Sequence, residues 1–100
     1  MAYKWMSYKA AHKYEAEAKK KRVSKVARNK GGFMRVYQRA KTAKAMKRKR
    51  HTKSRQTWET RRRNFIKRHL AQQNKNPTRR RCLALIMWAY KPKKCPAATK

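Results

Sequence analysis

Residues 57–90 read TWETRRRNFIKRHLAQQNKNPTRRRCLALIMWAY, and this stretch decides the fold. It holds two helix starts of the same design. Thr57 stands before Trp58, and Thr78 stands before Arg79. A threonine hydroxyl can accept a hydrogen bond from a free N–H in the first turn that follows, so each marks an N-cap. Glu59, in the first turn of the earlier helix, suits the positive end of the helix dipole. That helix is predicted over 58–73, with Trp58, Phe65, Ile66, His69 and Leu70 as an apolar stripe. Arg61, Arg62, Arg63, Lys67 and Arg68 fall mostly on its remaining surface. Asn74-Lys75-Asn76-Pro77 ends it, and the next helix is predicted over 79–90. From Leu83 to Tyr90 that helix is apolar on every side, as in a helix buried all round or held in an interface. Lys91-Pro92 stops it. The close turn between the two is compatible with a helix-turn-helix, although antiparallel packing is the commoner outcome.

Upstream, Phe33, Val36, Tyr37, Ala40, Ala43 and Met46 recur at helical spacing and predict a helix from about residue 33. Asn29-Lys30-Gly31-Gly32, with the only two glycines of the chain, breaks the sequence before it. In the short stretch 23–28, Ser24 is placed to cap a turn. A further helix is predicted over about 1–21, where Trp5, Tyr8 and Ala11 or His12 keep the spacing. There Glu15 and Glu17 precede Lys19 and Lys21 in the favourable order. Residues 51–56 are polar, basic and unpatterned, and read as a loop. The predicted architecture is all-α: a small helical domain of about three helices (29–92), a basic N-terminal helical arm (1–28) and an extended C-terminal tail (93–100).

The composition bounds what such a fold can do. Of 100 residues, 33 are Lys or Arg and three are acidic, for a formal charge of +30. A compact body so charged repels itself and calls for a polyanionic partner. Ten aromatics spread along the chain argue against a disordered polycationic tail. The start reaches Lys4 before any apolar run develops, so no signal peptide is expected. The longest apolar run, 82–90, is too short for a membrane span.

Catalysis finds little support. Glu15, Glu17 and Glu59 are the whole acidic inventory, and the first two diverge on a helix, so no two-metal site can be built from them. His12, His51 and His69 are isolated, and His69 falls on an apolar stripe as a core or half-buried imidazole. No glycine-rich phosphate loop is present. Cys82 and Cys95 read as two reduced thiols in an intracellular or virion interior. A zinc site from His51, His69, Cys82 and Cys95 is conceivable, but its spacings match no zinc pattern. No catalytic residue, metal site, cofactor or small-molecule substrate is predicted.

The constellation that carries a function is basic. Four clusters are the candidate polyanion-binding residues: Lys19, Lys20, Lys21 and Arg22; Lys47, Arg48, Lys49 and Arg50; Arg61, Arg62 and Arg63; and Arg79, Arg80 and Arg81. Such runs are ordinarily solvated helix surface, but here almost no acids offset them. The arginine triplets near helix starts suit phosphate, because guanidinium forks and free N–H groups both bind it. A charge of +30 matches the phosphates of about fifteen base pairs. Backbone contact carries no sequence information, and no base-reading motif is present. Trp5, Tyr8, Tyr14 and Tyr37 could stack on exposed bases, although packing in the core is their commoner role. Lys47 to Arg50 also matches a nuclear-import tetrad, a match of little weight in so basic a chain.

Three stretches together resemble a small uncharacterised basic domain encoded by large DNA viruses, notably those of algae. They are Val23-Ser24-Lys25-Val26-Ala27-Arg28 leading to Gly32-Phe33-Met34; Trp58, Arg61-Arg62 and 65–72; and Pro77-Thr78-Arg79-Arg80 with 83–90. The resemblance covers about 23–92; Arg81-Cys82 and the 47–55 segment depart from the pattern. It implies a virion setting and carries over no activity and no site residues. The expected protein is a structural virion component, a minor capsid or core protein. It would neutralise DNA phosphates or acidic capsid surfaces without sequence specificity. The alternatives are a ribosomal or mitoribosomal protein bound to rRNA, and a capsid protein that bridges acidic partners without nucleic acid. The expected location is the virion interior, or otherwise the nucleus or ribosome.

Overall fold

The computed structural model describes residues 3–49, 56–93 and 95–96. Among them the chain is all-α, with seven helical segments in the order α1 (Tyr8–His12), α2 (Glu15–Lys20), α3 (Lys25–Arg28), α4 (Phe33–Ala40), α5 (Ala43–Lys47), α6 (Trp58–Lys75) and α7 (Arg79–Ile86). Arg50, His51 and the rest of the predicted 51–56 loop before Gln56 lie outside the described residues, as do Lys94 and 97–100 of the predicted tail.

The two threonine starts form as the sequence indicates. Thr57 accepts from the N–H of Thr60 at 3.2 Å and Thr78 from that of Arg81 at 3.1 Å. Ser7 and Thr42 cap α1 and α5 in the same way. Ser24 does not: it lies in the left-handed region, at φ 52°, and its side chain caps nothing.

Helices predicted as continuous are broken where tertiary partners claim their backbone. Over residues 3–6 the carbonyls of Tyr3 and Lys4 are taken by the Arg62 guanidinium and that of Met6 by the Tyr37 hydroxyl. Those groups are therefore withheld from a helical ladder, and α1 starts only after Ser7. Lys41, at φ 71°, ends α4 and lets α5 turn so that Met46 is fully buried. The predicted 79–90 helix stops at Ile86, and its end folds into a Schellman turn. The Tyr90 N–H reaches the Leu85 carbonyl at 3.1 Å and the Ala89 N–H reaches that of Ile86 at 2.8 Å. α2 ends in the same motif, through Val23 to Ala18 and Arg22 to Lys19. Glycine normally takes the left-handed position of this turn, but here Ala89 (φ 59°) and Arg22 (φ 57°) occupy it.

Residues 3–28 pack against the rest of the helices. α1 packs on α4, α2 packs on α7, and Ala11, Ala18, Val23 and Ala27 belong to the same core as Phe33, Met34, Tyr37, Met46, Trp58, Leu83, Ile86 and Met87. The radius of gyration, 12.7 Å, is that of a folded domain of this length, about 13 Å. Small alanines on α1 and α2, Ala11 and Ala18, let both helices lie close against the rest. Phe33 is the hub of the aromatic core, with Trp88 at 4.8 Å, Tyr37 at 5.7 Å, Trp5 at 5.8 Å and Trp58 at 5.9 Å between ring centroids. Trp5 and Tyr37 are thus packing residues, and Tyr8 joins them edge-on to Tyr37 at 5.9 Å.

The cysteines are not reduced thiols. Cys82 and Cys95 form a disulfide, with their Cα atoms 5.4 Å apart, which ties the chain after α7 back onto that helix. Pro92, on the way from α7 to Cys95, is buried. Both sulfurs are thereby consumed and cannot serve the conceivable zinc site, while His69 stacks on Phe65 instead.

Gly32 is required for space. A Cβ there would lie 2.1 Å from the Val26 carbonyl oxygen, so the loop could accept it only by moving backbone. Gly32→Ala is therefore expected to lower stability by more than about 2 kcal/mol in urea denaturation at fixed salt. Arg22→Gly should act oppositely, raising stability by about 0.5–1 kcal/mol through relief of the left-handed strain. Equal effects of the two would contradict these backbone assignments.

Candidate polyanion-binding surface

The clusters named from sequence do not behave alike. In the first, Lys19, Lys20 and Arg22 are exposed and Lys21 is half-buried. The Lys21 carbonyl accepts from Arg80, so the packing of α2 on α7 brings this cluster and the 79–81 triplet together. In the second, Lys47, Arg48 and Lys49 are exposed. The Lys49 carbonyl accepts from the Trp58 N–H at 3.0 Å, which sets them beside the first turn of α6. Arg50 lies outside the described residues.

The two arginine triplets are divided between solvent and the interior. Arg63 and Arg80 are exposed. Arg62 is 2% exposed and is not a surface cation. Its Nε donates to the Trp88 carbonyl at 2.7 Å, Nη2 to those of Ala89 at 2.9 Å and Lys4 at 2.5 Å, and Nη1 to that of Tyr3 at 3.2 Å. The guanidinium lies over Trp5, 4.1 Å from the ring centroid. Burial pushes its pKa down to about 10, so it stays charged at neutral pH. The helical period explains the placement: Trp58, Arg62 and Ile66 succeed one another at i,i+4 and form one buried face, to which Gln73 also belongs. Position 62 thus belongs to the stripe rather than to the surface.

Arg79 is likewise engaged within the fold. It meets Glu17 through two hydrogen bonds of 2.7 Å, reaches the Pro96 carbonyl at 3.2 Å, and lies 5.7 Å from the Tyr14 ring. That pairing holds the Glu17 carboxyl below its ordinary range. Arg81 is half-buried and donates to the Asn76 carbonyl at 2.7 Å. Arg61 is half-buried beside the Trp58 ring, at 6.0 Å, and its buried Nε has no hydrogen-bond partner.

All three carboxylates are half-buried. Arg35 grips Glu15, which His12 also approaches at 3.2 Å; Arg79 grips Glu17; and the charge of Glu59 favours that of Arg62. In contrast, twenty-one Lys and Arg side chains among the described residues are exposed. The acids thus hold the fold together, and the outer surface is left to cations.

One concave feature went unnamed in the sequence because it is not a run. A cleft of about 610 Å³ opens along α6 between Arg61, Asn64, Phe65 and Arg68, lined also by Gln56, Lys67 and Trp88. Those four residues recur at i, i+3, i+4 and i+7, a spacing legible in the sequence. No helix among the described residues is long and apolar enough to cross a membrane. No family model matches the chain, and no curated protein or solved structure shows significant similarity to it.

Two outcomes follow for the triplets. Arg62→Gln should destabilise the fold by about 3 kcal/mol or more, because it leaves buried carbonyls unpaired, whereas Arg63→Gln should leave the urea midpoint nearly unchanged. Comparable midpoints for the two would refute the division. The Glu17–Arg79 pair has a pH signature. A carboxyl whose folded pKa is depressed contributes stability above its ordinary value of 4.5, lost as pH falls through the folded value. Stability should therefore decline below about pH 4.5 less steeply in Glu17→Gln than in the native chain, as read by urea midpoints along an acid series.

Proposed function

We propose that the protein is a non-enzymatic structural polycation that covers polynucleotide phosphate by backbone contact, without reading sequence, as a component of a larger assembly. One observation carries this reading: every carboxylate is drawn into the fold while twenty-one cations of the described residues face outward. A surface of one sign is self-repelling, and a dense polyanion relieves that repulsion most effectively. The proposed contacts are the exposed members of the basic clusters. They are Lys19, Lys20 and Arg22 with Arg80 on one side of the molecule's α2–α7 pair, and Lys47, Arg48 and Lys49 with Arg63 around the start of α6. Arg62 and Arg79 are excluded from the set, because their donors are spent on carbonyls and on Glu17.

The absence of an enzymatic role belongs to the same proposal, since the three carboxylates are matched to arginines rather than converging on a site. The resemblance of residues 23–92 to the viral domain favours a virion interior, with packaged DNA as the polyanion.

Binding to a short duplex, measured by fluorescence anisotropy from about 50 to about 200 mM salt, should fall linearly on a log–log plot with a slope near 0.9 per phosphate contacted. Two unrelated sequences should give the same slope. Arg63→Gln and Arg80→Gln should each reduce the slope by about 1 on both sequences. No binding to any polynucleotide at the lowest salt would sink the proposal and favour a protein that bridges acidic partners.

A further inference from the structure

We propose that Arg61 seats a backbone phosphate of a polynucleotide where two clefts meet, with Lys30 and Arg68 to take phosphates on either side of it. This rests on the polynucleotide reading above and gives it an anchoring contact. Among the described residues, six arginines are withdrawn wholly or partly from solvent. Five of them are tied to acceptors within the fold. Arg28 donates to the Val23 carbonyl, Arg35 to Glu15 and Gln38, Arg62 to four carbonyls, Arg79 to Glu17 and Arg81 to the Asn76 carbonyl. Arg61 alone of the six donates to no acceptor of the fold, and its Nε is buried without a partner. Arg35 also leaves its Nε unpaired, but its terminal nitrogens are spent. A guanidinium drawn partly out of water with its donors unspent is costly, and an anion from outside the fold offsets that cost.

The position of Arg61 suits that role. It lines the cleft of about 610 Å³ along α6, which it shares with Asn64, Lys67 and Arg68. It also lines a second cleft, of about 320 Å³, which continues to Lys30 and Gly31. Trp88 is common to both, and Phe65 in the first and Phe33 and Trp58 in the second supply apolar walls. No carboxylate lines either cleft. Low-dielectric walls carrying charge of one sign focus its field, so an anion is drawn to this place more strongly than to a convex surface of equal charge. Gly31 keeps the second cleft open at the loop, since even an added Cβ would meet no atom within 4 Å. The arrangement also selects the ligand. The guanidinium fork matches two oxygens of one phosphate. A free phosphate would satisfy Arg61 and leave Lys30 and Arg68 unmatched. A polynucleotide strand carries an anion on every residue, so one phosphate on Arg61 sends others toward both ends of the paired clefts. Contact of this kind reads no sequence.

The test measures binding of the full disulfide-bonded chain to a short duplex by fluorescence anisotropy, along a salt series. Arg61→Lys keeps the charge and removes the fork, so binding should weaken about tenfold with the salt slope unchanged. Arg61→Gln should weaken it at least as much and lower the slope by about 1. Arg63→Lys, at an exposed position of the same triplet, should bind as the native chain does. Because Arg61 serves no acceptor of the fold, both of its variants should keep urea midpoints close to native. Equal binding by the native chain and Arg61→Lys would overturn the assignment. So would a midpoint in either Arg61 variant as low as that of Arg62→Gln, which would make Arg61 a structural residue. Polyglutamate or inorganic phosphate, at equal charge and ionic strength, should compete far less well than unlabelled duplex, and equal competition by either would overturn the choice of ligand. Should duplex binding keep its salt slope and be indifferent to both Arg61 variants, the seat at Arg61 alone fails; should no polynucleotide bind, the phosphate-covering reading fails with it.

Discussion

The guanidinium of Arg62 joins the two ends of the helical body. Through four carbonyls it fastens the extended segment at Tyr3 and Lys4 to the turn at Trp88 and Ala89, with α6 as the support. The Met6 N–H adds a further bond to the Ala89 carbonyl at 2.7 Å. Much of the rest depends on this knot. Ala89 is held in a left-handed conformation that alanine adopts only when its surroundings compel it, and both partners of its carbonyl lie in the knot. With residues 3–6 extended, Trp5 reaches Phe33 and Tyr37, and α1 settles on α4. Lysine could not take the place of Arg62, because the bonds diverge from a planar fork and an ammonium offers its donors from a single point.

Burying a cation in a chain of charge +30 is a choice with a reason. The end of an α-helix and an extended strand both present carbonyls without partners, and a desolvated guanidinium satisfies several at once. It also removes one positive charge from a surface that already has too many. Glu15 and Glu17 follow the same economy from the other side: each is spent on an arginine of a later helix, which docks α2 onto the body. The disulfide from Cys82 to Cys95 does for the C-terminal segment what Arg62 does for the N-terminal one. A small core under strong self-repulsion is thus supplemented by ties that apolar packing alone would not provide.

What could be read from the sequence follows from whether the signal is local. The starts of α6 and α7 were legible, because a threonine cap and the residues it serves lie within one turn. The helical class was legible too, since few glycines and clear 3.6-residue stripes leave little alternative. The breaks at residues 3–6 and at Lys41 were not legible, because they depend on partners far along the chain. Arg62 was hidden by its neighbours. Within an arginine triplet the eye counts charge, whereas the spacing from Trp58 to Arg62 to Ile66 marks the buried face. The disulfide was illegible for a similar reason: two cysteines thirteen residues apart acquire meaning only when the segment after α7 comes back to that helix.

The same distinction separates the two parts of the candidate surface. Charge runs are conspicuous in sequence, yet of the two triplets only Arg63 and Arg80 are exposed. The α6 cleft is inconspicuous in sequence, yet it gathers cations, an amide and an aromatic face within two turns of one helix. Under the proposed function, phosphate contacts of the first kind would give affinity spread thinly over the body, and every such contact would weaken with salt. Arg62 fastens α6 through its buried face to the turn at Trp88 and Ala89. The cleft is therefore built on a helix anchored along its neighbouring buried face, not on a loop that the charge of the molecule could push aside.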